Sequence, residues 1–212
     1  MAGRTLDWIG VRGMQALIVG VGAYGLLIRN VSIVVNAVLG LATTVLPGVL
    51  ARDHELVLDP DLIRWITLAI LLHTIGMAGP YETVWWWDHL THTLSAALVA
   101  IVGYAVTRAI DEHWESIYLP PDFRFVFVLV FTLAAGVLWE VMEFVARALA
   151  LVFGQRAVLV QYGVADSVLD LVFDLLGGVL VGFLGGGHSD RLTASLERYF
   201  DRLPGTDRDP GR

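Results

Sequence analysis

The sequence predicts an all-α integral membrane protein, a bundle of about six transmembrane helices with both termini in the cytoplasm. Of its 212 residues 56% are apolar and only 17% are charged, whereas soluble domains are roughly 45–50% apolar and about 25% charged. The apolar residues form six runs, each close to the roughly 20 residues that a helix needs to cross about 30 Å of hydrocarbon. Acids and histidines interrupt the later runs, and they carry the best indication of function.

The six predicted spans are residues 13–28, 31–50, 62–79, 85–108, 123–151 and 165–184. The first is short and glycine-rich. Because no small-x-small cleavage site follows it and another span begins at once, we interpret it as a span and not as a signal peptide. The second contains no charged residue. The fifth is longer than a bilayer requires, so we expect it to tilt or to project from the membrane.

The arginines predict the orientation. All 14 basic residues are arginines, and with a cytoplasmic N-terminus eleven of them fall on the inner side. The three on the outer side are Arg29, Arg147 and Arg156. Cytoplasmic loops are enriched in positive charge, so both termini are predicted to lie inside, in a multi-pass protein of the plasma membrane. The run of tryptophans at residues 85–87 then marks the outer interface, where indoles prefer to lie.

Residues 1–187 are predicted to form the transmembrane domain, with a functional core at about 62–187, and residues 188–212 a cytoplasmic tail. Apolar residues recur at helical spacing between residues 189 and 203, which predicts an amphipathic interfacial helix. Residues 205–212 are predicted to be disordered. Gly178, Gly182 and Gly186 recur every four residues, a spacing that indicates a smooth ridge for close helix packing.

Composition excludes several kinds of function. The chain has no cysteine, so disulfides, thiolate metal sites and cysteine nucleophiles are ruled out. It has no cluster of basic residues, and nucleic-acid binding is therefore not expected. Membrane lipids are the expected partners, with a lipid or lipid-linked molecule as a possible substrate. The sequence does not fix the oligomeric state.

Three polar sets lie in the outer half of the predicted bilayer. They are Asp88 and His92; Glu140 and Glu143; and Asp166, Asp170 and Asp174. Spacings of three or four residues place each set on one helix face, so we expect the three sets to converge. A charged side chain near the bilayer centre costs about 2.5–3.5 kcal/mol. These acids must therefore be neutralised by metal ions, by protons or by nearby cations.

Oxygen ligands with one or two imidazoles suit a divalent metal ion, namely Mg²⁺, Mn²⁺, Ca²⁺ or Zn²⁺. The predicted ligands are Asp88, His92, Glu140, Asp170 and Asp174. Glu140 and Glu143 are also the candidate catalytic residues. The alternative is that the carboxyl groups are protonated, or that they only hold the helices together.

Four further residues are of secondary interest. Arg147 lies one turn beyond Glu143 and is expected to pair with it. Asp166 is expected to cap the sixth span, since an acid suits a helix N-terminus. His89 is expected to point away from the face of Asp88 and to be solvated or in contact with headgroups. His73 either takes part in the site or forms hydrogen bonds with a neighbouring helix.

The order and spacing of these motifs resemble the YjdF-like inner membrane proteins and, more distantly, the VanZ-like family. The shared features run from residue 62 to residue 187 and include Asp88…His92, Glu140…Glu143 and Asp170…Asp174 followed by Gly177. His73-x-x-Gly76 with Tyr81 is similar to the turn that precedes the first motif in the YjdF-like proteins. The chain departs from them where a lysine is usual, at His89, and where an aromatic residue is usual, at Thr93. The resemblance implies a membrane location and a site, but no reaction.

Three functions remain open at this point. The first is a metal-dependent hydrolase that acts on a lipid or lipid-linked phosphate at the outer leaflet. The second is a proton- or cation-coupled transporter, although the chain lacks the internal repeat common in such proteins. The third is an accessory structural protein. A di-iron bundle is disfavoured because it requires Glu-x-x-His motifs, and here the pair is Glu-x-x-Glu.

Overall fold

The computed structural model describes residues 2–53, 56–154, 157–159, 162–184 and 189–202, and every regular element among them is a helix. The helices are α1 (Ala2–Leu27), α2 (Val31–Asp53), α3 (Pro60–Gly76), α4 (Pro80–Thr83), α5 (Trp87–His113), α6 (Pro121–Val152), α7 (Val164–Leu184) and α8 (Asp190–Phe200). The predicted all-α fold is confirmed for this part of the chain. Residues 205–212, predicted to be disordered, and Gly186 lie outside the described residues.

Five helices, α1, α2, α5, α6 and α7, are long and apolar enough to cross a membrane. The third predicted span is shorter than expected, because α3 has 17 residues and is only about 25 Å long at 1.5 Å per residue. Two residues explain where it stops. Gly79 has a φ of 144°, a conformation that favours glycine, and Pro80 occupies the first position of α4, where proline is well tolerated.

The short helix α3 nevertheless connects the two ends of the bundle. At its start Leu62 packs in an apolar cluster with Ala105 and Leu192. Near its end His73 forms a hydrogen bond with Asn36, at the start of α2. α3 therefore runs antiparallel to α2 and α5, and α8 lies at the end of the bundle where α3 begins.

The orientation can be tested with single cysteines, because the native chain contains none. Glu82, in the turn before α5, and Glu115, in the turn after it, are both exposed. We expect an impermeant thiol reagent added outside intact cells to label Glu82→Cys and to spare Glu115→Cys until the cells are opened. Labelling of both variants from outside would contradict the predicted topology.

Helices α5, α6 and α7 form the core of the bundle, and α1 and α2 pack beside them against α3. Close helix packing depends on glycine. A Cβ at Gly177 would strike the Thr93 carbonyl oxygen and lie 2.9 Å from the Ala96 Cβ, so α5 and α7 meet backbone to backbone. On the opposite side of α7, a Cβ at Gly182 would lie 2.7 Å from the Phe125 ring. The predicted glycine ridge is thus confirmed for Gly178 and Gly182.

Helix α8 is amphipathic, as predicted, but its apolar face contacts the bundle. Leu192 packs on Leu62 and Ala105, with Leu196 beside them. The Ser195 hydroxyl lies 3.3 Å from both the amide nitrogen and the carbonyl oxygen of Val57. This side of α8 is therefore covered by protein, where the sequence predicts contact with lipid.

Candidate functional site

The site is centred on His92, in the second turn of α5. Its Nδ1 lies 3.1 Å from Asp174 Oδ1 on α7, and its Nε2 lies 3.6 Å from Asp88 Oδ1, one turn earlier on α5. Since α5 and α7 run in the same direction, the first two turns of α5 lie beside the second and third turns of α7. The imidazole therefore stands between a carboxylate of its own helix and one of the neighbouring helix.

Three of the predicted ligands come together at this point. Asp88, His92 and Asp170 each offer a ligand atom, and these atoms all lie within 4.8 Å of one another. His92 is 8% exposed and Asp170 is 2% exposed, whereas the Asp88 side chain is 21% exposed. The cluster is thus largely buried, and its most exposed member is Asp88, at the end of the bundle that the arginines predict to be the outer one.

Asp174 holds the imidazole in place from the other side. Its Oδ1 accepts a hydrogen bond from His92 Nδ1 if that nitrogen carries the proton, and the second oxygen, Oδ2, is buried without a hydrogen-bond partner. The carboxylate fits because Gly136 on α6 has no side chain: a Cβ there would collide with Asp174 Oδ2. Gly136 is a site residue that the sequence analysis missed. Its position four residues before Glu140 was the available signal.

The contact of Gly136 with Asp174 also places Glu140. Because α6 and α7 are antiparallel, one turn outward from Gly136 is Glu140, and one turn outward from Asp174 is Asp170. Glu140 is 7% exposed, and neither of its carboxylate oxygens has a hydrogen-bond partner. It lies beside the cluster, but it does not belong to the three-residue group whose ligand atoms are within 4.8 Å.

Glu143 has a different environment. It is 8% exposed, and its Oε1 accepts a hydrogen bond of 2.9 Å from the indole of Trp139. The same indole packs edge-on against His73, with ring centroids 5.8 Å apart. Glu143 therefore has at least one neutral partner, and that partner also contacts His73 of α3.

The prediction for His89 is wrong. Its ring stacks on Phe173 of α7, with centroids 4.3 Å apart and planes 4° apart. Its side chain is 13% exposed, and Nδ1 lies 3.6 Å from Asp170 Oδ1. The histidine is packed and not solvated because α7 covers this face of α5 as well as the face that carries His92.

The other residues of secondary interest are Asp166, His73 and Arg147. Asp166 Oδ2 accepts a hydrogen bond of 3.2 Å from the backbone amide of Tyr162, which ties the segment before α7 to the first turn of the helix; the capping of the helix itself stays a prediction. His73 forms hydrogen bonds with Asn36 on α2 and with Tyr81, as its structural interpretation predicts. Arg147 is exposed one turn beyond Glu143, and their ion pair stays a prediction.

Two tyrosines at the outer end stay protonated at neutral pH. Burial raises the pKa of the Tyr81 phenol well above its ordinary value, against the opposing effect of its hydrogen bond with Thr91. Burial also raises the pKa of Tyr162 to about 12, and the nearby acids, first Glu82 and Asp88, act in the same direction. This end of the bundle therefore carries several acids, among them Glu82 and Asp88, beside two neutral phenols.

Comparison with known proteins identifies a family for this chain, but the family description names no activity. The family described as "Predicted membrane protein (DUF2238)" matches residues 10–191. An uncharacterized protein of Thermotoga maritima is 28% identical over 115 residues, which make up 53% of this chain and 55% of that relative. The match thus spans about half the length of the relative. No solved structure matches the chain.

Proposed function

Because this chain belongs to the family of predicted membrane proteins DUF2238, it lies in a lipid bilayer, and we propose that it binds a divalent cation there to hydrolyse a lipid phosphate. One observation carries the proposal: Asp88, His92 and Asp170 present ligand atoms within 4.8 Å of one another inside an apolar bundle. The relation to YjdF-like and VanZ-like proteins stays a prediction from the motifs.

The donor set fits such an ion. Among the described residues, no hydrogen-bond partner is found for the buried oxygens of Glu140, for Oδ1 of Asp170 or for Oδ2 of Asp174, although His89 Nδ1 lies 3.6 Å from Asp170 Oδ1. A buried charged oxygen left without a partner costs several kcal/mol at least, so a cation is the natural counterpart. Carboxylates with one imidazole suit Mn²⁺ or Zn²⁺ better than they suit Ca²⁺, which prefers oxygen ligands alone.

Asp174 prepares His92 for this role. A histidine that donates from Nδ1 to a carboxylate is held as the tautomer whose Nε2 lone pair is free for a metal. Here Nδ1 faces Asp174 at 3.1 Å and Nε2 faces Asp88 at 3.6 Å. Asp174, which the sequence analysis assigns as a ligand, is therefore better suited to orient His92 than to bind the ion itself.

The surroundings favour a ligand that arrives from the outer face. Asp88 is the most exposed member of the cluster, and it lies in the first turn of α5. On the inner side of the cluster, the backbones of α5 and α7 meet at Gly177 and Thr93, which leaves no passage between these two helices. A site whose most exposed ligand is Asp88, at the predicted outer end of the bundle, suits the phosphate of an outer-leaflet lipid.

Glu140 is the residue best placed to act as a general base. When bound, a divalent cation would polarise a phosphate oxygen and offset its negative charge. Glu140 would accept a proton from water as the water oxygen forms a bond to phosphorus. The ester P–O bond then breaks, and the proton passes to the leaving oxygen. Glu143, already engaged with Trp139, is less available for this step.

This reaction predicts a specific effect of Glu140→Gln. We expect the variant to keep its cation but to lose activity by about 10²–10⁴-fold, the usual contribution of a general base. The measurement is release of phosphate from vesicles that contain phosphatidic acid, with Mn²⁺ or Zn²⁺ present. Glu82→Gln, an exposed outer carboxylate, is the matched control and should retain full activity. Equal rates in Glu140→Gln and the wild type would contradict the role of Glu140.

One observation favours a second function, cation transport. The site and its neighbourhood offer more carboxylate oxygens than one ion requires, four of them without hydrogen-bond partners. Transport would require α5 and α7 to separate at Gly177. Uptake of a divalent cation into sealed vesicles that contain the protein, without release of phosphate, would support transport over hydrolysis. If neither uptake nor phosphate release occurs, both functions are overturned.

A further inference from the structure

A second buried polar chain crosses the outer end of the bundle next to the carboxylates. The Asn36 amide oxygen lies 3.0 Å from His73 Nε2, and His73 Nδ1 lies 2.8 Å from the Tyr81 hydroxyl. That hydroxyl is 3.2 Å from Thr91 Oγ1, and Thr91 Oγ1 is 2.8 Å from the carbonyl oxygen of Asp88. The chain thus leads from α2, through α3 and α4, to the first turn of α5.

The hydrogen atoms in this chain can be assigned from its ends. Both amide hydrogens of Asn36 are used, in bonds of 2.9 Å to the Ser32 carbonyl and 2.7 Å to the Val158 carbonyl. Its Oδ1 is therefore an acceptor, and His73 Nε2 must carry a hydrogen. In a neutral imidazole Nδ1 then accepts, so the single hydroxyl hydrogen of Tyr81 is donated to it. The Tyr81 oxygen then accepts in its contact of 3.2 Å with Thr91, and the Thr91 hydroxyl is the donor. Tyr81 is held by a histidine that is itself held by Asn36.

Close packing fixes the Tyr81 ring as well. A Cβ at Gly76 would lie 2.7 Å from Tyr81 Cζ and 2.8 Å from Trp87 Nε1, so both rings rest directly on the backbone of α3. Trp87 also donates from Nε1 to the Leu72 carbonyl, at 3.2 Å. This explains the motif His73-x-x-Gly76 with Tyr81, which is not part of the carboxylate cluster.

The first turn of α5 needs such support. The residue that precedes the helix, Trp86, makes no capping hydrogen bond with its side chain. Thr91 lies three residues after Asp88 and one before His92, so a restraint on Thr91 acts on both. Asp88 is also the least buried member of the cluster.

We infer that Tyr81 is a positioning residue for the cation site: through Thr91 it holds the first turn of α5, and thereby keeps Asp88 and His92 opposite Asp170 on α7. This inference rests on the proposed cation site. Tyr81 acts through α5, and neither the phenol nor His73 belongs to the three-residue ligand group. The Val158 carbonyl ties the segment that precedes α7 to the same chain.

The test is Mn²⁺ binding by Tyr81→Phe, which removes one oxygen atom and keeps the ring. We expect the dissociation constant to rise about 10–100-fold, the range found when residues that orient metal ligands are replaced. Thr91→Val should weaken binding in the same way, and Thr91→Ser, which keeps the hydroxyl, should bind as the wild type does. Tyr24→Phe, at an exposed tyrosine near the outer end of α1, is the matched control.

The measurement also separates this inference from the proposed function. Melting temperatures recorded in chelator show what Tyr81→Phe and Thr91→Val do to the fold without the ion. If the wild type binds no Mn²⁺, the cation site itself is wrong. A different result is that the wild type binds Mn²⁺ and the dissociation constants of both variants lie within about twofold of the wild-type value, while only their melting temperatures are lowered. In that case Tyr81 has a purely structural role and the inference is overturned.

Discussion

Asp170→Asn is expected to abolish binding of divalent cations, whereas Asp166→Asn, one turn away on α7, should leave it unchanged. Asp170 is 2% exposed, lies in the ligand group with Asp88 and His92, and has an oxygen without a hydrogen-bond partner. The amide has nearly the shape of the carboxylate but no charge, and it is a poor ligand for a hard cation. We expect the affinity for Mn²⁺ to fall at least about 100-fold, beyond the effect of losing an orienting residue.

The stability of Asp170→Asn should change in opposite directions with and without metal. In chelator the variant should melt at a higher temperature than the wild type, because it lacks a buried carboxylate charge that His89 Nδ1 approaches only to 3.6 Å, beyond hydrogen-bond distance. With Mn²⁺ present the order should reverse, because only the wild type gains stability from the bound ion. The Asp166 carboxylate accepts a hydrogen bond from the Tyr162 amide just before α7, so Asp166→Asn should lower the melting temperature slightly in both conditions. An identical response of the two variants would contradict the assignment of Asp170.

Gly136→Ala should both destabilise the protein and disrupt the site. The new methyl group would occupy the position of Asp174 Oδ2 and would lie 3.1 Å from the Leu171 side chain. Either the carboxylate turns away from His92 or α6 moves away from α7. Overpacking of this kind costs about 1–3 kcal/mol, more than the roughly 1 kcal/mol that alanine gains over glycine within a helix.

Gly20→Ala is the matched control for Gly136→Ala. Gly20 lies in the apolar part of α1, and a Cβ there would have no atom within 4 Å. Its replacement should leave Mn²⁺ binding unchanged and should raise the melting temperature slightly, since alanine favours the helix. If Gly136→Ala binds Mn²⁺ as tightly as Gly20→Ala does, the position of Asp174 is not important for the site.

The helices and most residues of the site could be predicted from the sequence, because both depend on the spacing of residues within one helix. Apolar runs predict helices wherever they are long enough, and spacings of three or four residues place Asp88 with His92 on one face. The end of α3 was also encoded locally, in Gly79 and Pro80. The predicted span ends at residue 79, whereas α3 ends at Gly76. The difference arises because apolar residues continue beyond the end of the helix.

The rotation of each helix about its axis and the level at which neighbouring helices meet could not be predicted from the sequence. His89 was expected to be solvated because it leaves the face of Asp88, yet α7 covers both faces and Phe173 stacks on the ring. The role of Gly136 depends on the level at which α6 meets α7, which is set by packing over the whole length of both helices. Asn36 lies in a span without charges, and only the tertiary contact with His73 gives it a function.

The most direct test of the cation site is elemental analysis of the protein purified in mild detergent. After incubation with Mn²⁺ or Zn²⁺ and removal of unbound metal, we predict about one ion per chain in the wild type and in Asp166→Asn, and essentially none in Asp170→Asn. The ion should leave on treatment with chelator, and the melting temperature of the wild type should fall as it does. A wild type that retains no divalent metal from Mg²⁺, Mn²⁺, Ca²⁺ or Zn²⁺, and whose melting temperature does not respond to chelator, would contradict the account.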